Sequence, residues 1–208
     1  MDINSFGPLS ITTSAASAVS ICASQSPGAG AITINGSLAS GGIATIAGAQ
    51  LITLVSGGND TGITFTITGT DSDGRAQTEN VTGASAGTAT STKYFKTVSS
   101  ITHTGSVATT LTSGNTIDAV SNTVRPTNNI SPMALGIGVI LVSGTATYKV
   151  QHSYQDGSTS HPTLWFDNSA GAKTASSEAT YSTPVATIRI LISASASGVL
   201  SGNIVQAG

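Results

Sequence analysis

Residues 63–83 read ITFTITGTDSDGRAQTENVTG, a stretch that begins with an alternating apolar run ending in a short acidic tract. Ile63, Phe65 and Ile67 alternate with threonines, which is the period of two that a half-buried β-strand requires. The run then breaks into DSDG at 71–74, and Asp-Gly is a strong signal for a tight turn between two antiparallel strands. The stretch therefore predicts a β-hairpin.

The rest of the chain repeats this pattern. Ile188, Ile190 and Ile192 also occupy alternate positions, and clusters of turn-forming residues recur about every 8–12 residues, as in sandwiches and barrels. No long run shows the apolar spacing of a helix, and glutamate, a good helix former, occurs only twice. We predict an all-β protein with little or no helix, built of antiparallel β-sandwiches of jelly-roll or Ig-like type.

An internal echo predicts two such sandwiches in tandem. The matching segments are LVSG at 54–57 and 141–144, TFTITGTDSDG at 64–74 and TYKVQHSYQDG at 147–157, and YFKTVSSI at 94–101 and YSTPVATI at 181–188. Between the copies, SNTVRPTNNISP at 121–132 has two prolines around polar residues, which is typical of a connector. We expect an N-terminal arm plus the first sandwich at 1–125 and the second sandwich at 126–208.

The composition argues against several classes of partner. Lys and Arg number 7 and Asp and Glu 9, so the net charge is −2 and no basic surface is expected for nucleic acid. The most apolar stretch, MALGIGVILV at 133–142, is half of the roughly 20 residues that span a bilayer, and the N-terminus lacks the pattern of a secretory signal. Cys22 is the single cysteine and is expected to be a small buried hydrophobe.

Asp71 and Asp73, followed by Gly74, resemble the start of a calcium-binding loop. The twelve-residue loop requires a bidentate acid at its end, where this chain has Thr82, and it requires flanking helices. The second copy keeps the Asp-Gly pair but has Tyr154 in place of Asp71, which a turn tolerates and a metal site does not. We favour a turn over a metal site here.

Two further patterns suggest catalysis only weakly. GASAG at 83–87 matches the nucleophile elbow with Ser85 at its centre, but an elbow requires a following helix and none is predicted, so a loop is favoured. His152 and His161 lie nine residues apart with Asp156 between them, a wide spacing for zinc, and His103 is distant. We therefore predict no catalytic residue, no metal and no cofactor, and a protein that is not an enzyme.

The densest aromatic segment is HPTLWFDN at 161–168, and it allows two interpretations. Trp165, Phe166 and the nearby Tyr154 would form an exposed face that stacks on sugar rings. Alternatively, Trp165 fills the core of the second sandwich, and we favour this interpretation.

Two blocks of the chain resemble small structural proteins of tailed bacteriophages. GNDTGITFTITGTDSDGRAQTENVTG with TSTKYFKTVSSI is similar to a block that recurs in this class. GTATYKVQHSYQD, LWFDN, PVATIRILIS and the closing VQAG are similar to a second one. The resemblance covers about residues 54–101 and 144–208 and carries no functional residues.

The resemblance implies a virion protein, made in the bacterial host cytoplasm, of the capsid decoration, cement or head–tail neck (collar) type. Such a protein would form homo-oligomers and adhere to other virion proteins, such as the major capsid protein and portal or neck proteins. Sparse charge fits this expectation, because packed copies then repel each other little. The alternative is a receptor- or carbohydrate-binding module of a tail fibre or spike, with Trp165, Phe166 and Tyr154 contacting a host surface glycan.

Overall fold

The chain is an all-β protein in a computed structural model that describes residues 3–126, 134–195 and 198–207. Every regular element in those ranges is a β-strand, and the pairings between strands are antiparallel, as predicted. The strands are β1 (Ile3–Thr12), β2 (Ser17–Gln25), β3 (Gly30–Ala31), β4 (Ala39–Ser40), β5 (Ile43–Ser56), β6 (Thr64–Thr70), β7 (Ala76–Thr82), β8 (Thr88–His103), β9 (Leu111–Val120), β10 (Ala134–Ser143), β11 (Ala146–Ser153), β12 (Phe166–Asp167), β13 (Ser177–Tyr181), β14 (Thr187–Ser195) and β15 (Val199–Ala207).

The strands group into two compact units. One unit comprises residues 14–117, and the other joins residues 1–13 to residues 118–208. We call them the central unit and the terminal unit. The expected N-terminal arm forms strand β1, which pairs with β15 and belongs to the terminal unit. The boundaries of these compact units therefore differ from the predicted domains at 1–125 and 126–208, which stay a prediction.

The central unit contains the hairpin that the sequence predicts. Strand β6 pairs with β7 from Thr64↔Thr82 to Thr70↔Ala76 without a register shift, and the turn between them spans residues 71–75. The sheet continues in the order β9-β5-β8-β6-β7, with β2, β4 and β3 paired to β9, β5 and β8. Strands β5 and β8 carry register shifts, and extra residues of this kind bend a sheet.

The alternating side chains of this sheet meet in one core. Phe65 and Phe95 are fully buried and are its largest members. Cys22 is also fully buried among these side chains, which confirms the expected role of a small buried hydrophobe. The remaining core is aliphatic, so it depends on many medium-sized side chains rather than on a few rings.

The terminal unit is a sandwich of two layers. Its first sheet has the order β1-β15-β10-β13, and its second has β12, β11, β14 and the end of β9. Their inward side chains form a single core in which Tyr148 is the largest fully buried member. The Tyr148 hydroxyl donates a hydrogen bond to the carbonyl of Ala175 over 2.8 Å, so this buried polar group is satisfied.

Corresponding strands of the internal echo form similar pairs. In the central unit β6 pairs with β8 at Ile67↔Ile101, and in the terminal unit β11 pairs with β14 at Val150↔Ile190. The sequence match aligns Ile101 with Ile188, but the residue that pairs with Val150 is Ile190. The pairing of the second copy is thus shifted by two residues, and an even shift keeps each side chain on the same face of its sheet. The copies diverge after the turn, because β7 follows directly in one and a loop of residues 154–165 precedes β12 in the other. The prediction that the echo marks two similar sandwiches in tandem stays a prediction.

Only the first half of the predicted connector lies within the described residues. Ser121 and Val124 donate backbone hydrogen bonds to the carbonyls of Ile190 and Ile188, so residues 121–124 follow strand β14. Residues 127–132 of the predicted connector lie outside the described ranges.

Candidate functional site: an exposed aromatic cluster

The end of strand β11 and the short strand β12 bring four rings together in the terminal unit. His152 pairs with Phe166 across the two strands. Tyr154 lies two residues beyond His152, so it leaves the chain on the same side. Tyr181, at the end of β13, reaches the same place from the other sheet. We call these four side chains the aromatic cluster.

The cluster has a buried base and an exposed top. The His152 ring lies 5.0 Å from Tyr181, 5.3 Å from Tyr154 and 5.7 Å from Phe166, measured between centroids. His152 and Tyr181 are 9% and 7% exposed, whereas Tyr154 and Phe166 are 62% and 42% exposed. The two exposed rings are 5.7 Å apart and inclined by 58° to each other. They therefore form an open V rather than a flat platform.

Burial keeps the base of the cluster uncharged. It raises the pKa of Tyr181 to about 12 and lowers the pKa of His152, because both charged forms lose their hydration. The Tyr181 hydroxyl and His152 Nδ1 lie 3.2 Å apart and share a hydrogen bond. At neutral pH the exposed rings thus rest on a neutral, satisfied base.

Asp156 and Asp167 follow the exposed rings along the chain, and each carboxylate has hydrogen-bond and ion-pair partners. Asp167 accepts hydrogen bonds from Lys149 Nζ over 2.6 Å and from Gln151 Nε2 over 2.9 Å. These bonds, the one from Lys149 first, lower the pKa of Asp167. Asp156 accepts from the Ser158 hydroxyl and pairs with Arg125 over 2.7 Å, and the Ser158 bond is the main reason that the pKa of Asp156 is lowered.

The predicted stacking face is brought together only in part. Tyr154 and Phe166 contact each other, but Trp165 packs elsewhere, with the Arg189 guanidinium 3.9 Å above its ring and its Nε1 donating to the carbonyl of Pro162. Neighbouring residues of an extended segment point to opposite sides, which separates Trp165 from Phe166. The interpretation of Trp165 as the plug of the core is wrong, because the ring is partly exposed and Tyr148 takes that role.

No protein-family model, no curated protein and no solved structure matches this chain significantly. Among the described residues, no helix is long and apolar enough to cross a membrane.

The acidic tract at 71–74 forms a turn, as the sequence predicts. Asp71 Oδ1 accepts hydrogen bonds from the backbone N–H groups of Asp73 and Arg75, both over 2.9 Å. Gly74 has φ of +81°, a left-handed conformation that favours glycine. The Asp71 carboxylate thus closes the turn from inside, and the turn itself explains its position.

The remaining candidates for chemistry are held by local contacts. Ser85 lies in the loop between strands β7 and β8, where it forms an isolated antiparallel β-bridge with Asn59. It is therefore not flanked by the parallel strand and the helix that a nucleophile elbow requires. His152, His161 and Asp156 do not form a group that could share one ion. His103 is buried, with Nδ1 2.7 Å from the carbonyl of Gly105 and its ring 5.7 Å from Phe65.

Sequence reasoning missed two members of the site. The sequence indicates His152 only as a weak candidate for metal binding or hydrolysis, and it places Tyr181 among the tyrosines of the second half without assigning it to the stacking face. The signal for His152 was present, because it lies two residues before Tyr154 and therefore on the same side of the chain. Tyr181 had no local signal, since its contact with the cluster depends on how β13 packs against the other sheet.

Proposed function

We propose that this chain is a structural component of a tailed phage particle, a capsid decoration, cement or head–tail neck (collar) protein. It acts by symmetric self-association and by adhesion to other virion proteins, and not by catalysis. The observation that carries the proposal is the outer face of the sheet β1-β15-β10-β13. On that face Ile140, Val142 and Val205 are 50%, 59% and 41% exposed, and Glu178 is the one charged residue among the described outward positions.

An exposed face of this kind suits adhesion between proteins. Apolar side chains gain roughly 25 cal/mol for each Å² that contact removes from water, and few charges have to be desolvated. The resemblance of residues 54–101 and 144–208 to phage structural proteins supports the same proposal. Rigid antiparallel sheets with large aliphatic cores suit a protein whose work is to hold its shape under load.

The test is the composition of the purified particle. Phage particles that carry this gene product would be banded on a density gradient, digested and quantified by mass spectrometry against the major capsid protein. The proposal predicts tens of copies per particle, in a fixed ratio to a capsid or neck protein. The proposal would be contradicted if the protein were absent from washed particles, or if its ratio to the major capsid protein fell with each round of gradient purification.

A second candidate function is a receptor- or carbohydrate-binding module of a tail fibre or spike. The exposed pair Tyr154 and Phe166 favours it, because rings with open faces bind the apolar faces of sugars. A glycan array would be probed with the wild-type protein, with Phe166→Ala and with Trp165→Ala. Binding that Phe166→Ala reduces about tenfold, roughly 1.4 kcal/mol, supports this function, and no binding to any host surface glycan removes it.

A further inference from the structure

Strand β10 has an uneven outer face. Its outward positions are Ala134, Gly136, Gly138, Ile140 and Val142, so the first half is nearly flat and the second half projects. A Cβ atom added to Gly138 would meet nothing within 4 Å, and one added to Gly136 would meet only the Val205 carbonyl at 4.0 Å. The glycines therefore leave a shallow trough beside a ridge of two β-branched side chains.

We propose that this face binds a second copy of the same chain, related by a twofold axis that lies in the plane of the contact, perpendicular to β10 and above Gly138. This inference rests on the proposed function, since it names the surface through which copies associate. A rotation of 180° about that axis exchanges positions on either side of Gly138. Ile140 of each copy then lies over Gly136 of the other, and Val142 lies over Ala134, so ridge meets trough twice.

The neighbouring strands suit the same contact. Gly138 pairs with Asn203 of β15 and Glu178 of β13, while Ser201 lies beside Ile140. Asn203 and the serine and threonine residues of this face are uncharged donors and acceptors that can bond to the other copy. Glu178 lies at the level of Gly138, so the axis brings it towards Glu178 of the other copy, and this like-charge pair weakens the contact. Its place on the edge strand β13 lets both carboxylates turn towards solvent, and the other described outward positions of the face are uncharged.

The size of the face sets the strength of the contact. Four strands about 4.8 Å apart and about eight residues long cover roughly 500 Å² per copy, or about 1,000 Å² for both. That total lies below the roughly 1,200–2,000 Å² that stable specific interfaces bury, in the range of weak, transient contacts. The pair is therefore weak for the isolated protein and gains strength where many copies are held together on a particle.

The experiment is sedimentation velocity of the full chain from low to high micromolar concentration. The wild type is expected to show a reversible monomer–dimer equilibrium. Ile140→Lys is expected to weaken it at least about tenfold, because it places a charge in the trough of the other copy. Ile43→Lys is the matched control, because Ile43 is an aliphatic residue of similar exposure, 45%, in the central unit, and it leaves the equilibrium unchanged.

Gly138→Leu separates this geometry from general stickiness. The substitution adds exposed apolar surface and meets open space in the single chain, so the protein folds, as circular dichroism would show. It fills the trough, so the inference predicts weaker dimerisation, whereas non-specific association would become stronger. A strictly monomeric wild type, a stronger dimer in Gly138→Leu, or an equilibrium that Ile140→Lys leaves unchanged overturns the inference. The composition of the particle tests the proposed function independently of these results.

Discussion

At the scale of single residues, the direction of a side chain from its strand decides whether it tolerates a charge. Ile67 is fully buried and pairs with Ile101, whereas its neighbour Thr68 faces outward and is partly exposed. We expect Ile67→Asp to prevent folding, because burying an unpaired carboxylate costs several kcal/mol against a total stability of about 5–15 kcal/mol. Circular dichroism and a thermal melt of the purified variant check this.

Thr68→Asp is the matched control for Ile67→Asp. It introduces the same carboxylate one position along strand β6, on the side that faces solvent, and we expect its thermal melt to stay close to that of the wild type. If both variants melt normally, Ile67 does not lie in the core, and the strand is displaced by one residue.

Protonation of His152 is a second effect at this scale. Burial lowers the pKa of His152 in the folded chain below its ordinary value of 6.5. Above pH 6.5 the ring is neutral in both folded and unfolded chains, so the folded state is not penalised. As the pH falls through 6.5, the unfolded chain takes up the proton first and stability decreases.

We therefore expect the free energy of unfolding of the wild type to fall between about pH 7 and pH 5, where carboxylates contribute little. His152→Phe keeps a ring against Tyr154, Phe166 and Tyr181 and removes the titrating group, so its stability falls less over the same interval. Urea denaturation at several pH values measures both curves. Parallel curves for the two proteins would show that burial does not hold His152 neutral.

At the scale of elements, strand β8 contains two extra residues opposite β5, between Thr90 and Tyr94. Two side chains hold this bulge. The Ser91 hydroxyl accepts a hydrogen bond from the backbone of Ile52, and the Glu79 carboxylate of β7 accepts from the backbone N–H groups of Thr92 and Lys93 over 2.7 and 2.9 Å. Both replace ladder bonds that the bulge interrupts.

Removal of the Glu79 carboxylate is expected to destabilise the protein. Glu79→Ala leaves two backbone donors of the bulge without their charged acceptor, which costs about 1–3 kcal/mol. The chain has one other glutamate, Glu178, which is exposed, and Glu178→Ala is expected to change stability by less than about 0.5 kcal/mol. Chemical denaturation of the two variants gives the comparison, and equal effects would mean that Glu79 does not support the bulge.

Sequence patterns predicted the elements better than their connections. The hairpin at 63–83 was readable because its apolar period and its turn are both local. The bulge in β8 was not, because the carboxylate that supports it comes from another strand. The aromatic site lies between these cases. Tyr154 and Phe166 were found as neighbouring aromatic residues, and the alternation of an extended segment already separates Trp165 from Phe166. What the local pattern does not predict is the contact that Trp165 makes instead, with Arg189, which is 24 residues away along the chain.

At the scale of the whole molecule, the first strand belongs with the last. Strand β1 pairs with β15, and Leu9 and Ile11 of β1 are buried in the core of the terminal unit. A pairing of residues so distant along the chain leaves no mark in a local pattern, which is why the sequence predicted an arm that joins the first sandwich. Leu9 and Ile11 of β1 thus complete the core that the C-terminal strands form.

A cavity at Leu9 tests this assignment. Leu9→Ala is expected to cost about 2–5 kcal/mol, because it leaves a cavity in a closely packed core. Hydrogen exchange followed by mass spectrometry is expected to speed up in β10, β14 and β15, with a smaller change in residues 14–117. The opposite distribution, with the main change in residues 14–117, would place β1 in the central unit and support a domain at 1–125.

The proposed role in a phage particle is tested by a cryo-electron microscopy map of intact particles. We expect density for two β units of this size, repeated with the symmetry of the capsid or of the neck. Copies would meet through the face that carries Ile140 and Val142. A map of intact particles in which every density is assigned to other proteins would rule out the proposed role.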